Sequence, residues 1–364
     1  MSLSLYFHLP FCKKKCPYCS FYVIPDKENH KSLYLKALEM EWALREPLVT
    51  GQKIVSCYFG GGTPSVFPEA VENILNWLPT QPKEITLEAN PEDITPSLMA
   101  RMGSCGINRV SLGVQSLSSP LLVSLGRTHS PEKAIDAVRI IQEANINNIS
   151  IDLMYELPGQ TLSLWEETLT QVAELPITHL SLYNLTIEPH TVFFKKKKSL
   201  AFPSQEENLQ MLQMALHAFE QMGFVRYEIS AFAKGGKISH HNIGYWTARP
   251  FLGFGPSAFS YWEHRRFCNI ANLHRYQDRL VNGIDPTDFS ECLQGEERKK
   301  ELIAVGLRVV DGIDLAPFFP LSEGLENLLQ QLQTKKMIVL AGTTCKLTSQ
   351  GLLFYDTVAS EILS

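Results

Sequence analysis

Apolar residues fall into short β-rich runs, each followed by a stretch in which they recur at helical spacing. That alternation is the mark of repeated βα units around a parallel sheet. Six strands are expected, at Ser4–Pro10, Ile54–Gly60, Glu84–Ala89, Arg109–Gln115, Ile149–Met154 and His179–Leu185. Segments such as Tyr34–Arg45, Pro131–Ala144 and Leu164–Leu175 are long enough for the crossover helices. Several of the strands read as near-continuous apolar runs, which predicts burial on both faces.

A closed eight-stranded barrel takes about 250 residues, whereas the six units end near residue 190. The expected fold is therefore α/β, a partial (β/α)6 barrel of the TIM type left open. A helix at Gln205–Met222 and a strand at Tyr227–Ser230 would extend it. From Pro286 the pattern changes to helices at Glu296–Val310 and Gly324–Lys335, a hairpin of Met337–Leu340 with Lys346–Thr348, and a last helix at Gly351–Leu363. Residues 1–285 are thus read as the barrel with its extension, and 286–364 as a small, mainly helical, winged-helix-like domain.

A chain of 364 residues, 45% of them hydrophobic, can bury a large core. The net charge of -5 offers no basic field for nucleic acid or an anionic membrane. No apolar run reaches the ~18 residues of a membrane span, and Met1–Cys12 lacks the basic and long apolar regions of a signal peptide. A cytoplasmic location is expected.

The eight cysteines are too few and too uneven for a disulfide scaffold. Three of them form Cys12-Lys-Lys-Lys-Cys16-Pro-Tyr-Cys19, on the loop that follows the first strand, at the barrel end that normally carries active sites. Three thiolates on one loop can hold a [4Fe-4S] cluster while leaving one iron free for another ligand. Zinc is the competing occupant, but it favours paired knuckles from two places in the chain, and there is no second Cys pair. Lys13 to Lys15 would offset cluster charge or simply solvate the loop. Cys57, Cys105, Cys268, Cys292 and Cys345 stand singly, as small core residues do.

Other strand ends carry groups suited to a polar ligand. The second ends in Gly60-Gly61-Gly62-Thr63-Pro64, where glycines allow close backbone approach and Thr63 adds a hydroxyl. The third ends in Glu88-Ala89-Asn90-Pro91, the fourth in Gln115, and the fifth contains Asp152. Such polar side chains need partners, which either a cofactor or the barrel itself could supply. Arg127 could pair with a cofactor carboxylate, with Asp152, or with a surface acid.

Taken together, Tyr6-Phe-His-Leu-Pro-Phe-Cys12, Gly61-Gly-Thr-Pro64, Glu88-Ala-Asn-Pro91, Gly113-Val-Gln-Ser116, Asp152-Leu-Met-Tyr-Glu-Leu-Pro-Gly159 and Tyr183-Asn-Leu-Thr-Ile-Glu-Pro189 resemble the radical S-adenosylmethionine (SAM) group that contains oxygen-independent coproporphyrinogen III oxidase and the heme chaperones. The resemblance implies a cluster on Cys12, Cys16 and Cys19, with SAM bound at the open iron, where an electron from the cluster breaks a carbon-sulfur bond, and an external electron donor to the cluster. It further implies that Tyr6 and Tyr18 lie against SAM, that Gly62 and Thr63 hold its methionine end, and that Glu88 meets its polar groups. Gln115, Arg127 and Asp152 match positions associated with a second SAM in the oxidase.

Two departures separate the branches. The oxidase has a further Cys two places after the third cluster Cys, where this chain has Phe21, and it has a long extension before the first strand. In the other direction, His241-Asn-Ile-Gly-Tyr245-Trp246 fits a pattern associated with heme binding in the chaperone branch. A neutral imidazole can ligate iron, and two aromatic faces suit a porphyrin; His240 is the competing ligand and packing the competing role. The expected function is therefore a heme chaperone that delivers heme to a hemoprotein client, which could be membrane-associated. The alternatives are oxidative decarboxylation of coproporphyrinogen III and radical chemistry on an unrelated substrate. Gly253-Phe-Gly255-Pro-Ser-Ala258 opens no strand-helix unit and is not read as a dinucleotide fingerprint.

Overall fold

The computed structural model describes residues 1–364. Six parallel strands, β1 (Ser2–Leu9), β2 (Lys53–Gly61), β3 (Glu84–Ala89), β4 (Arg109–Gln115), β5 (Asn148–Tyr155) and β6 (His179–Asn184), lie side by side in chain order. They are joined through helices that include α1 (Glu28–Val49), α2 (Pro68–Trp77), α3 (Pro96–Ser104), α4 (Pro131–Glu143) and α5 (Leu162–Ala173). This is the expected partial (β/α)6 barrel. Beyond it, α6 (Gln205–Gln221) leads to β7 (Val225–Glu228) and β8 (Ala231–Ala233), and β8 runs antiparallel to β6.

The other edge is more extended than the sequence suggests. After α7 (His240–Trp246), β9 (Phe251–Phe254) returns to pair in parallel with β1. Strands β10 (Phe259–Trp262) and β11 (Arg265–Asn269), then α8 (Leu273–Val281) and β12 (Thr287–Cys292), complete an open twelve-stranded sheet. The large sheet therefore runs past residue 285 to Cys292. Gly255, at the end of β9, has φ +95°, and a Cβ there would stand 2.6 Å from the His8 carbonyl. A close crossing over β1, rather than a phosphate, explains this glycine. The buried pair Glu41–Arg45 on α1 fastens the same edge: Arg45 donates to the Gly253 carbonyl and to Asn269 Oδ1, while Glu41 accepts from the Gly255 amide and the Tyr276 hydroxyl.

The near-continuous apolar reading of the strands is corrected by the register. Side chains alternate across a strand, and in β1 Leu3, Leu5, Phe7 and Leu9 are fully buried in the main apolar core. Ser4, Tyr6 and His8 take the opposite face, level with Ser56, Tyr58 and Gly60 of β2. The same inner face carries Glu84, Thr86 and Glu88 on β3, Arg109 and Ser111 on β4, Ser150 and Asp152 on β5, and His179 and Ser181 on β6. The apolar core thus lies between sheet and helices, and the lumen is polar.

Beyond the sheet, α9 (Gly295–Gly306), α10 (Glu323–Thr334) and α11 (Tyr355–Leu363) surround a small sheet of β13 (Ile313–Asp314), β14 (Ile338–Ala341) and β15 (Thr344–Leu347) in the order β13-β15-β14. Leu307, Leu325, Leu332 and Val358 belong to its separate buried core. The single last helix expected at Gly351–Leu363 is broken at Phe354 into two. Arg308 anchors this unit on the barrel: it pairs with Glu228 at 3.4 Å and lies 4.2 Å over the Trp246 ring. No helix in the chain is long and apolar enough to cross a membrane.

Candidate functional site

The carboxyl ends of β1 to β4 converge on the cysteine loop. Cys12, Cys16 and Cys19 are free and partly exposed, and no group of three His, Cys, Asp or Glu side chains is drawn together to the distances of a single metal ion. The loop base is held by backbone pairing of Phe11 with Ile24 and Cys12 with Pro25. Behind it, a Cβ on Gly62 would stand 2.6 Å from the Phe11 carbonyl, so only glycine lets the β2 turn reach this close. Lys13 pairs with Asp93, which also accepts from Ser65, so one of the three loop lysines has a structural partner.

One polar chain joins the strand ends to the thiols. The Thr63 hydroxyl lies 3.5 Å from Cys12 Sγ and accepts from Asn90 Nδ2 at 3.0 Å. Arg127 donates to Asn90 Oδ1 at 2.6 Å, to the Gly113 carbonyl at 2.7 Å and towards Cys16 Sγ at 3.6 Å. The pairing of Arg127 with Asp152 allowed by the sequence is not formed. Geometry is the reason: Arg127 sits on the loop after β4 and is spent on the strand-end amide and carbonyl. Its Nε is buried and unpartnered, a donor that an anionic ligand would satisfy.

Burial pushes the Cys12 thiol up to about 11, with the Thr63 hydroxyl opposing, and it raises Cys19 as well. Such thiols stay protonated and poorly nucleophilic until a metal cation takes the place of their protons. Three thiols, a glycine cradle and an unpaired guanidinium nitrogen fit a cluster with an anionic co-ligand. A [4Fe-4S] cluster held by Cys12, Cys16 and Cys19 would supply one-electron reducing chemistry here.

Glu88 accepts from the Tyr58 hydroxyl at 2.7 Å and from the Gly61 amide at 3.2 Å, which places a carboxyl at the glycine turn. Tyr6 stacks on Tyr58, and its hydroxyl meets His8 Nδ1 at 3.1 Å. Tyr18 packs against Phe193 beside the thiols. Gln115 closes β4 with φ +67°, a strained conformation at the same rim. Asp152 lies deeper, with Ser111 Oγ at 3.5 Å. Arg109, unremarked in the sequence, is the buried cation of this lumen, and its Nε and Nη1 have no partner.

Burial raises the Glu88 carboxyl from 4.5 to about 7; Tyr58 pulls it back and the Asp152 charge adds to the rise. The folded chain therefore holds a proton that the unfolded chain has released. This contribution makes stability fall as pH rises from about 4.5 to about 7. Glu88→Gln is expected to make that fall shallower in urea melts, leaving the slope from other carboxyls raised by burial, among them Asp152, Glu41 and Glu228. Parallel profiles for variant and parent would contradict this.

His241 is not at the rim. Helix α7 plugs the amino-terminal end of the barrel, its first two amides donating to the Glu84 carboxylate at 2.8 Å each. The His241 ring enters the lumen and is 1% exposed. Its Nδ1 is 2.9 Å from Ser56 Oγ and its Nε2 is 2.8 Å from the Tyr245 hydroxyl. Burial, with Arg249 and Arg109 nearby, lowers it to about 3, so the imidazole is neutral. Both nitrogens of this imidazole, the ligand expected from the sequence, are hydrogen-bonded inside the protein. His240, the competing candidate, is partly exposed.

Residues 6–172 match the family model of the radical SAM superfamily. Together with the fold, this segment defines the class: a radical SAM protein. The chain is 32% identical to the heme chaperone HemW of Bacillus subtilis (strain 168) over 375 aligned residues, covering 99% of each. It is also 32% identical to the mitochondrial radical S-adenosyl methionine domain-containing protein 1 of Danio rerio, covering 99% of this chain and 86% of that protein. Its fold superposes on the Escherichia coli coproporphyrinogen III oxidase HemN, a radical SAM enzyme, with a TM-score of 0.85 at 23% identity, over 100% of this chain and 90% of that one. The chain belongs to the HemW family of radical SAM proteins.

Proposed function

We propose that this protein is a heme chaperone: it binds heme and passes it to a hemoprotein client, and Cys12, Cys16 and Cys19 carry a [4Fe-4S] cluster to which SAM binds. The observation that carries the reading is the likeness to the Bacillus subtilis heme chaperone along 99% of both chains. Phe21 supports it: the side chain standing where the oxidase has a further Cys is 67% exposed and cannot act as a thiol.

In this reading Thr63, Asn90 and Arg127 hold the strand ends against the cysteine loop, and Arg127 also meets the carboxylate of SAM. Glu88 and the Gly61–Gly62 turn receive the ammonium and polar groups, while Tyr6 and Tyr18 exclude water on either side. Gln115 and Asp152 line the remaining rim and lumen. His241 would ligate the heme iron once Tyr245 releases its Nε2, and its neutrality leaves a lone pair for iron. An external reductant serves the cluster, and the client is membrane-associated.

The discriminating experiment supplies the anaerobically reconstituted protein with SAM, reductant and coproporphyrinogen III. No protoporphyrinogen is expected, and efficient turnover would overturn the chaperone reading. A second expectation concerns the ligand: His241→Ala loses the Soret band of bound heme, whereas Tyr245→Phe, which removes the competing hydrogen bond, binds heme roughly fivefold tighter, about 1 kcal/mol. A Soret band unchanged in both variants removes His241 as ligand.

A further inference from the structure

An apolar hollow of ≈ 580 Å³ lies outside the barrel, between the β9–β12 edge and helix α9. That volume is in the usual range for a small-molecule site. Its inner wall is Tyr245 and Trp246, and Leu302 and Val305 of α9 face them from the C-terminal unit. Phe259 and Phe289 also line it and remain 50% and 46% exposed, an uncommon fate for two phenylalanines on one rim. Two polar groups are unspent. Trp246 Nε1 is buried without a partner. Arg249 uses only Nη1, on Ser4 Oγ and the His240 carbonyl, and pairs with no carboxylate. Arg266, the other cation there, is already taken by Glu291 and Glu301.

We propose that this hollow is where the tetrapyrrole ring lies, with a propionate on Arg249 and the ring against Trp246, Phe259 and the α9 side chains. The inference rests on the heme reading above and places that ligand. Aromatic faces on several sides with one guanidinium that pairs with no carboxylate suit a flat apolar macrocycle bearing carboxylates better than a peptide or a nucleotide. The site also accounts for a histidine that is otherwise out of reach. Tyr245 lines the hollow with its ring and holds His241 Nε2 with its hydroxyl. Rotating that one side chain outward opens the imidazole to whatever occupies the hollow. The C-terminal unit becomes part of the binding site by supplying its second wall.

The test uses the full chain and two probes, hemin and iron-free protoporphyrin IX; the latter needs the hollow but no axial ligand. Val305→Trp fills the space, and Phe259→Asp puts a charge on its rim at an exposed position that tolerates substitution. Both variants are expected to bind both probes roughly tenfold more weakly, as an uncompensated polar group or lost apolar contact predicts. Thermal melts report folding, and Phe259→Asp carries the test if Val305→Trp does not fold. Parental affinity for hemin and porphyrin in a folded variant would overturn this location while leaving the heme reading standing. A parent chain that binds neither probe would overturn both.

Discussion

Reconstituted anaerobically, Cys12→Ser, Cys16→Ser and Cys19→Ser are each expected to carry no more iron and sulfide than a buffer control. A cubane on three protein ligands already has one open iron, so losing another ligand leaves it held at only two corners. The hydroxyl that replaces the thiol is a poor substitute, because the thiolate is the metal ligand. The effect is confined to the cluster, since none of the three cysteines belongs to the buried apolar core. Thermal melts of the metal-free chains are therefore expected to shift little, within the ~0.5 kcal/mol typical of surface changes. Full cluster content in all three variants would contradict the assignment of this loop.

Arg127→Ala is expected to have the next largest effect. The guanidinium bridges β3, β4 and the cysteine loop through Asn90, the Gly113 carbonyl and Cys16. Its removal leaves an amide oxygen and a carbonyl unpaired in a largely enclosed rim, a loss of about 2–4 kcal/mol. Both stability and cofactor retention are expected to fall, seen as a lower melting temperature and as SAM binding weakened by roughly tenfold or more in calorimetry. Arg127→Lys keeps the charge but cannot span Asn90 and Cys16 together, so it is expected to fall between parent and alanine variant. Unchanged SAM affinity in Arg127→Ala would show that the polar chain is only structural.

Much of this arrangement is legible in the sequence because it is local. Each of the six strands is a single run, and β3 and β4 match their expected bounds residue for residue. The cysteine spacing and the triple glycine lie within one loop each. What escapes the sequence depends on pairing across long separations. Strand β9 joins β1 across more than two hundred residues, and its four residues carry no helix to announce a βα unit.

The polar lumen escapes for a different reason. In Ser2–Leu9 the aromatic Tyr6 and the apolar residues on both sides of it hide a strict alternation. Glu84 and Arg109 stand first in their strands, where a charged residue reads as a solvated end, yet both are buried. The His241 segment is recognisable as a motif, but its orientation is not. Only the Ser56 and Tyr245 contacts reveal that the ring faces inward.

Heme delivery itself is measured most directly by loading the cluster-containing protein with heme, removing free heme by gel filtration, and mixing it with membranes from heme-starved cells. The account predicts that heme moves to the membrane fraction and restores a reduced-minus-oxidised b-type spectrum faster than from heme bound to serum albumin. Heme retained by the protein, or transferred no faster than from albumin, would contradict it.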